Sequence, residues 1–238
     1  MKILGVDSSA KTASVSIIEG GKVLSMLYSN TGFTHSQTLM PMIKSALDIT
    51  AYKPSDIDAF AVSVGPGSFT GIRIGIAAIK GMAQPLSKPC IAVSTLEAAA
   101  YPLREHDCTA VSVMDARREQ VYEAMFDCSE NKLLRLSNDS ANSIDELYEK
   151  IKNIKKPIYL IGDGADICFA FLNERISDIK TAPEQIKYQR ADSVALLALE
   201  KYKNGEFVLA ESLNPLYLRS SQAEQSLKKN INNTQKEE

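Results

Sequence analysis

An α/β protein of two successive lobes, each a mixed sheet flanked by helices, is the fold class this sequence predicts. Three observations carry that reading. The first half reads as three strands joined by tight turns, followed by helices and strands in alternation. The same order restarts near Thr109, which suggests a duplication with an eroded second copy. Within the first half, one stretch joins an apolar run, Ala59 to Val64, to an apolar helical run, Ile72 to Ala83. It reads Gly65-Pro66-Gly67-Ser68-Phe69-Thr70-Gly71-Ile72-Arg73-Ile74-Gly75: a strand, a tight glycine turn and a buried helix. The lobes are placed at residues 1–106 and 107–220, and the polar stretch 221–238 is predicted to be a disordered tail.

The elements follow in order. Ile3 to Val6 is a buried strand that ends at Asp7, and Asp7-Ser8-Ser9-Ala10-Lys11-Thr12 is a polar turn. Ala13 to Ile18 alternates as a second strand, and Val23 to Tyr28, after Glu19-Gly20-Gly21-Lys22, is a third. Leu39, Met42, Ile43, Ala46 and Leu47 recur at helical spacing, so His35 to Asp48 is an amphipathic helix. Pro41 belongs in its first turn or kinks it. The helix after the glycine turn is apolar round most of its circumference, with Ile72, Ile76 and Ile79 among its large side chains. Such a helix is buried on several sides or meets a partner. Cys90 to Ser94 is a strand, and a helix begins at Thr95. In the second half, Ala110 to Met114, Val121 to Phe126, Lys132 to Leu136 and Ile158 to Ile161 are strands. Ser143 caps a helix to Ile151, with Glu146 at the capping-box position. Ala191 to Tyr202 is the last helix, and Asn214 to Arg219 a compact terminal segment.

Chemistry is concentrated at two turns. Gly65 and Gly67 take positive φ at little cost, and Ser68 or Thr70 can cap the helix. A helix start of this kind can take an anion, with Asp7, Ser8, Ser9, Gly67 and Ser68 as the contacts. It is neither a Walker A loop, since Gly-Ile-Arg stands where Gly-Lys-Ser/Thr is needed, nor a G-x-G-x-x-G fingerprint. A purely structural turn, with Asp7 bonding its own backbone, is the alternative. His35 lacks a second His at i+4, where Leu39 stands, so an exposed or capping role suits it better than a metal.

Composition excludes several classes. The chain has 238 residues, 45% apolar and 24% charged, with a net charge of −2. The pI near 5.8 lacks the basic excess of an independent nucleic-acid binder. Four scattered cysteines, with no C-x-x-C pair, suit reduced thiols in the cytoplasm. The N-terminus has no signal-peptide shape, and no apolar run is long enough to span a membrane. Arg117-Arg118 and Lys228-Lys229 are charge runs of the kind that are usually just solvated.

Five stretches together resemble one family. They are Val6-Asp7-Ser8-Ser9, His35-Ser36, the glycine turn Gly65 to Gly75, Met114-Asp115-Ala116-Arg117, and Pro215-Leu216-Tyr217-Leu218-Arg219. In order and spacing they look like the TsaB (YeaZ) family, over roughly residues 1 to 220. The resemblance implies a two-lobed actin-like fold (ASKHA, ribonuclease H-like). It implies a part in making N6-threonylcarbamoyladenosine (t6A) in tRNAs that read ANN codons. The implied partners are a catalytic paralogue, TsaD, an ATPase, TsaE, tRNA through the complex, and a second copy of the chain when alone. It implies no catalysis and no cofactor for this chain by itself, with ATP used by the pathway. TsaD-like relatives carry two metal-binding His at i and i+4 where this chain has Thr95 and Ala99, which cannot replace an imidazole pair.

The expected interface with the paralogue is the paired helices 35–48 and 70–83, through Leu39, Met42, Ile43, Leu47, Ile72, Ile76 and Ile79. A charge at Ile76 should then abolish pairing and leave the fold largely intact. The rival function is an actin-like small-molecule kinase or ATPase using Asp7 and the Gly65–Gly71 loop. It lacks a clear second phosphate hairpin, since Met114-Asp115-Ala116-Arg117 has no glycine.

Overall fold

Strand β1 (Lys2–Asp7) is the spine of the first sheet, because its residues are buried on both faces and strands pair on both edges. It pairs antiparallel with β2 (Ala13–Glu19), which pairs antiparallel with β3 (Lys22–Ser29). Helix α1 (His35–Thr50) then crosses to β4 (Ala59–Gly65), parallel to β1, and helix α2 (Phe69–Ala83) crosses to β5 (Cys90–Ser94), parallel to β4. The order is β3-β2-β1-β4-β5. Helix α3 (Thr95–Ala100) leads into the second sheet. The computed structural model describes residues 1–117 and 119–218. The expectations for Arg118, Arg219, Lys228, Lys229 and the tail 221–238 lie outside the described residues.

The second sheet repeats the meander. Strands β6 (Cys108–Arg117), β7 (Gln120–Ser129) and β8 (Lys132–Arg135) run antiparallel in succession, and β9 (Ser140–Ser143) also pairs with β7. Helix α4 (Ile144–Ile151) follows, with Ser143 and Glu146 closing the expected capping box. Strand β10 (Ile158–Ile161) lies parallel to β6. Helix α5 (Ala165–Leu172), β11 (Ile179–Thr181) and the short α6 (Glu184–Lys187) follow it. Helix α7 (Ala191–Lys203) ends the regular structure.

Helices α1 and α2 cover one face of the first sheet, where Leu4, Val15, Phe60 and Val62 meet Leu39, Ile43, Ile72 and Ile79. The opposite face is covered from the far end of the chain. Val194, Ala195 and Ala198 of α7 pack on Ile3, Ala61, Ile91 and Val93. Leu96 and Ala100 of α3 reach the other way, into a core with Ala110, Ala124 and Phe126 of the second sheet. Each sheet thus holds a helix from the other half of the sequence.

Pro41 lies inside α1, past its first turn, on the exposed side. The amide it lacks would have bonded the Gln37 carbonyl, which is also on the exposed side. Among the described residues no helix is long and apolar enough to cross a membrane.

Candidate functional site

The two turns singled out by sequence meet at the end of β1. Asp7 is fully buried. Its Oδ1 accepts the Ser9 amide at 3.0 Å and the Ser9 hydroxyl at 2.7 Å, and its Oδ2 accepts the Ser63 hydroxyl. Burial pushes the Asp7 carboxyl up from its ordinary pKa, against the bonds from Ser63 and Ser9 and the charge of His35. The Ser9 carbonyl accepts the Ser68 amide at 2.6 Å, and the Ser8 hydroxyl donates to the Gly71 carbonyl at 2.9 Å. Gly67, at φ 152°, sits so close that a Cβ there would run into the Ser9 carbonyl. Ser68 caps α2 by accepting the Gly71 amide at 3.2 Å.

Asp7, Ser8, Ser9, Gly67 and Ser68 are therefore brought together, but against one another. The Asp7 turn is the Asx-turn alternative, with the side chain bonded two residues on. The carboxyl thus holds three hydroxyl and amide donors from its own turn and from β4. The β6–β7 turn repeats the device: Asp115 Oδ1 accepts the Arg117 amide at 2.7 Å. The duplication seen in the strand order is thus also present in the turns. His35 is neither exposed nor a cap. Its ring is half-buried and its Nε2–H donates to the Ala10 carbonyl at 2.7 Å, which ties α1 to the Asp7 turn.

The expected interface residues need correction. Leu39, Ile43, Leu47, Ile72, Ile76 and Ile79 are buried in the core between the helices and the sheet, and only Met42 is half-exposed. The stripe that periodicity selects is the one the lobe's own sheet takes. Ile76, at 6% exposure, cannot accept a charge without damage to the fold. The helices pack side by side as expected, and what they turn outward is a second set of residues. On α2 these are Ile74, Ala77, Ala78, Gly81 and Met82, again at helical spacing, with Ala77 and Gly81 exposed and the rest half-buried. On α1 they include Met42 and Ile49, the latter 69% exposed.

The terminal segment lies beside α2. The Leu216 amide donates to the Val64 carbonyl at 2.8 Å, and a Cβ on Gly65 would strike the Leu216 carbonyl. The Tyr217 ring stacks on Phe69 with centroids 4.3 Å apart. Arg73 lies over Phe69, 3.9 Å from its centroid, and its Nε–H donates to the Tyr217 hydroxyl at 2.7 Å. Both partners stand in quoted motifs, but 144 residues separate them, and no local spacing rule joins them.

A second polar cluster lies where the halves meet. Asp163, in the turn after β10, is largely buried, and its Oδ1 has no hydrogen-bond partner. Burial pushes its carboxyl up to about 6, helped by the charge of Asp115 and opposed by the Asp115 amide, the Gln189 side chain and Lys11. Thr95 and Ala99 are both buried in α3.

Two mixed sheets, each opening with a meander and flanked by helices exchanged between the halves, make up an α/β fold of the actin-like type. The family model described as tRNA N6-adenosine threonylcarbamoyltransferase, TsaD, matches residues 29–227. The tRNA threonylcarbamoyladenosine biosynthesis protein TsaB of Bacillus subtilis is 29% identical over 94% of this chain and 96% of its own. Its Escherichia coli namesake is likewise 29% identical, over the same shares. Among solved structures, YeaZ from Pseudomonas aeruginosa is 26% identical, with a TM-score of 0.74 over 91% of this chain and 99% of that one. The chain belongs to the TsaD-related family, in its TsaB (YeaZ) branch.

Proposed function

We propose that this chain is a non-catalytic subunit that binds a TsaD-type threonylcarbamoyltransferase through the outer faces of α1 and α2. Family membership places it in the biosynthesis of threonylcarbamoyladenosine in tRNA. The reading rests on one observation: beside the inner stripe committed to the core, α2 carries a second apolar stripe in which Ala77 and Gly81 are exposed and Ile74, Ala78 and Met82 are only half-buried at the edge of that core. Two helices side by side with such a face form half of a helix bundle, and closing it against a matching pair would bury it as a domain core is buried. The burial of Asp7 and of the Thr95 and Ala99 positions supports a supporting rather than a chemical role. The chain brings no cofactor of its own; ATP is used by other members of the pathway, a TsaE-type ATPase among them. tRNA is met through the assembled complex, and the same face pairs two copies when the chain is alone.

The test is light scattering behind a sizing column, on the chain alone and mixed with the TsaD-type protein of the same cell. The expected result is a homodimer that gives way to a heteromeric complex, and Ala77→Glu should prevent that complex without unfolding the chain. A chain that elutes unchanged from the mixture would refute the proposal.

A further inference from the structure

We propose that Arg73 is the specificity anchor of this docking face and that it receives a carboxylate from the partner protein. The inference rests on the reading that α1 and α2 bind the TsaD-type partner, and it names the chemistry of that contact. Arg73 is exposed at one end of the outer stripe of α2, one turn before Ala77. Its guanidinium lies on the Phe69 ring, and its Nε–H is bonded to Tyr217, which is itself stacked on Phe69. The Tyr217 ring is set in place by the Leu216 amide on the Val64 carbonyl. The head group is therefore fixed while its terminal nitrogens make no hydrogen bond or ion pair with any described residue. A planar donor fork held ready on two aromatic rings matches a carboxylate in bidentate geometry and loses little entropy on pairing. Arg and Tyr braced by apolar neighbours are the residues that dominate binding at interfaces.

Charge identifies the occupant. Besides His35, the two helices carry Lys44, Arg73 and Lys80 against a single acid, Asp48. Asp48 is paired with Lys44 at 2.5 Å, and Lys80 donates to the Glu211 carbonyl at 3.2 Å. A second copy on this face sets its positive charge against itself, so a different chain bearing a carboxylate is the better match and displaces the copy, as a homodimer giving way to a heteromeric complex requires. One aimed cation on this face, in a chain of net charge −2, does not suit an RNA backbone, which is held by several. The motif Pro215 to Leu218 thereby gains a role, since it holds the ring that aims Arg73.

Titration calorimetry with the purified TsaD-type protein tests this. Arg73→Ala should weaken binding about thirtyfold, and Arg73→Lys should restore only part of the loss, because the fork and its stacking are gone. Tyr217→Phe, which keeps the ring but removes the hydrogen bond, should cost several-fold, and thermal melts of all three variants should match the parent. Ala77→Glu tests the underlying reading separately. If Ala77→Glu abolishes binding while Arg73→Ala binds like the parent, the docking face stands and the anchor is refuted. If both bind like the parent, the face itself is refuted, and the anchor with it. If Arg73→Ala keeps the protein partner but lowers retention of tRNA by the complex, the contact belongs to RNA and the proposal is overturned.

Discussion

Asp163 is a residue whose ionisation costs the fold stability. Its carboxyl titrates near 6 in the folded chain, above its ordinary value of 3.8, because it is largely buried with one oxygen unpaired. A raised acid means the folded state holds its proton longer than the unfolded state does. Stability from this group is full below the unfolded value and falls as pH rises from about 4 to about 6. Asp163→Asn can still accept the Asp115 amide and carries no charge. The variant should match the parent near pH 4 and exceed it at pH 7, by on the order of 1–2 kcal/mol after allowance for residual exposure. Urea melts at the two pH values check this, and an equal difference at both would show that burial of the charge is not the cause. Gly67 makes a second prediction. Gly67→Ala puts a side chain on a positive φ and into the Ser9 carbonyl, and should cost roughly 1–3 kcal/mol from the backbone alone. The loss should appear as a lower urea midpoint with an unchanged slope.

Helix α2 separates what sequence periodicity can and cannot tell. The apolar residues Ile72, Ile76 and Ile79 were legible as a stripe, but a stripe names a buried face without naming what buries it. Here the lobe's own sheet takes Ile72, Ile76 and Ile79, while Ala77 and Gly81 are left outside and Ile74, Ala78 and Met82 lie half-buried between. Ile76→Glu should therefore unfold the lobe, at about 3–5 kcal/mol for a lost core side chain and an unpaired buried charge. Ala77→Glu should change stability by under about 0.5 kcal/mol and act on pairing alone. Circular-dichroism melts of the two variants distinguish these roles. Capping at α4 was fully legible, because Ser143 and Glu146 stand three apart on one turn. Ser143→Ala should lower stability by about 1 kcal/mol. By contrast, α5, β11 and α6 follow the Gly162 turn in short pieces without a sustained period, and the sequence did not announce them.

At the scale of the whole molecule, the two-lobed α/β fold was legible because the strand meander occurs twice, each time with an Asx-turn at the end of its first strand. The exchange of α3 and α7 between the sheets was not, since α3 is buried nearly all round, α7 is mostly buried over its first nine residues, and nothing in their pattern says which sheet they serve. The glycine turn was legible as the organising element from its glycines and the apolar runs on either side. It locks the Asp7 turn on one side and the terminal segment on the other. That lock sets α2, and so the face that α1 and α2 present. The most direct test of the central claim is threonylcarbamoyl transfer to tRNA by the purified TsaD-type protein with its companion ATPase. Transfer should require this chain and fail with folded Ala77→Glu; full transfer without the chain, or with that variant, would contradict the account.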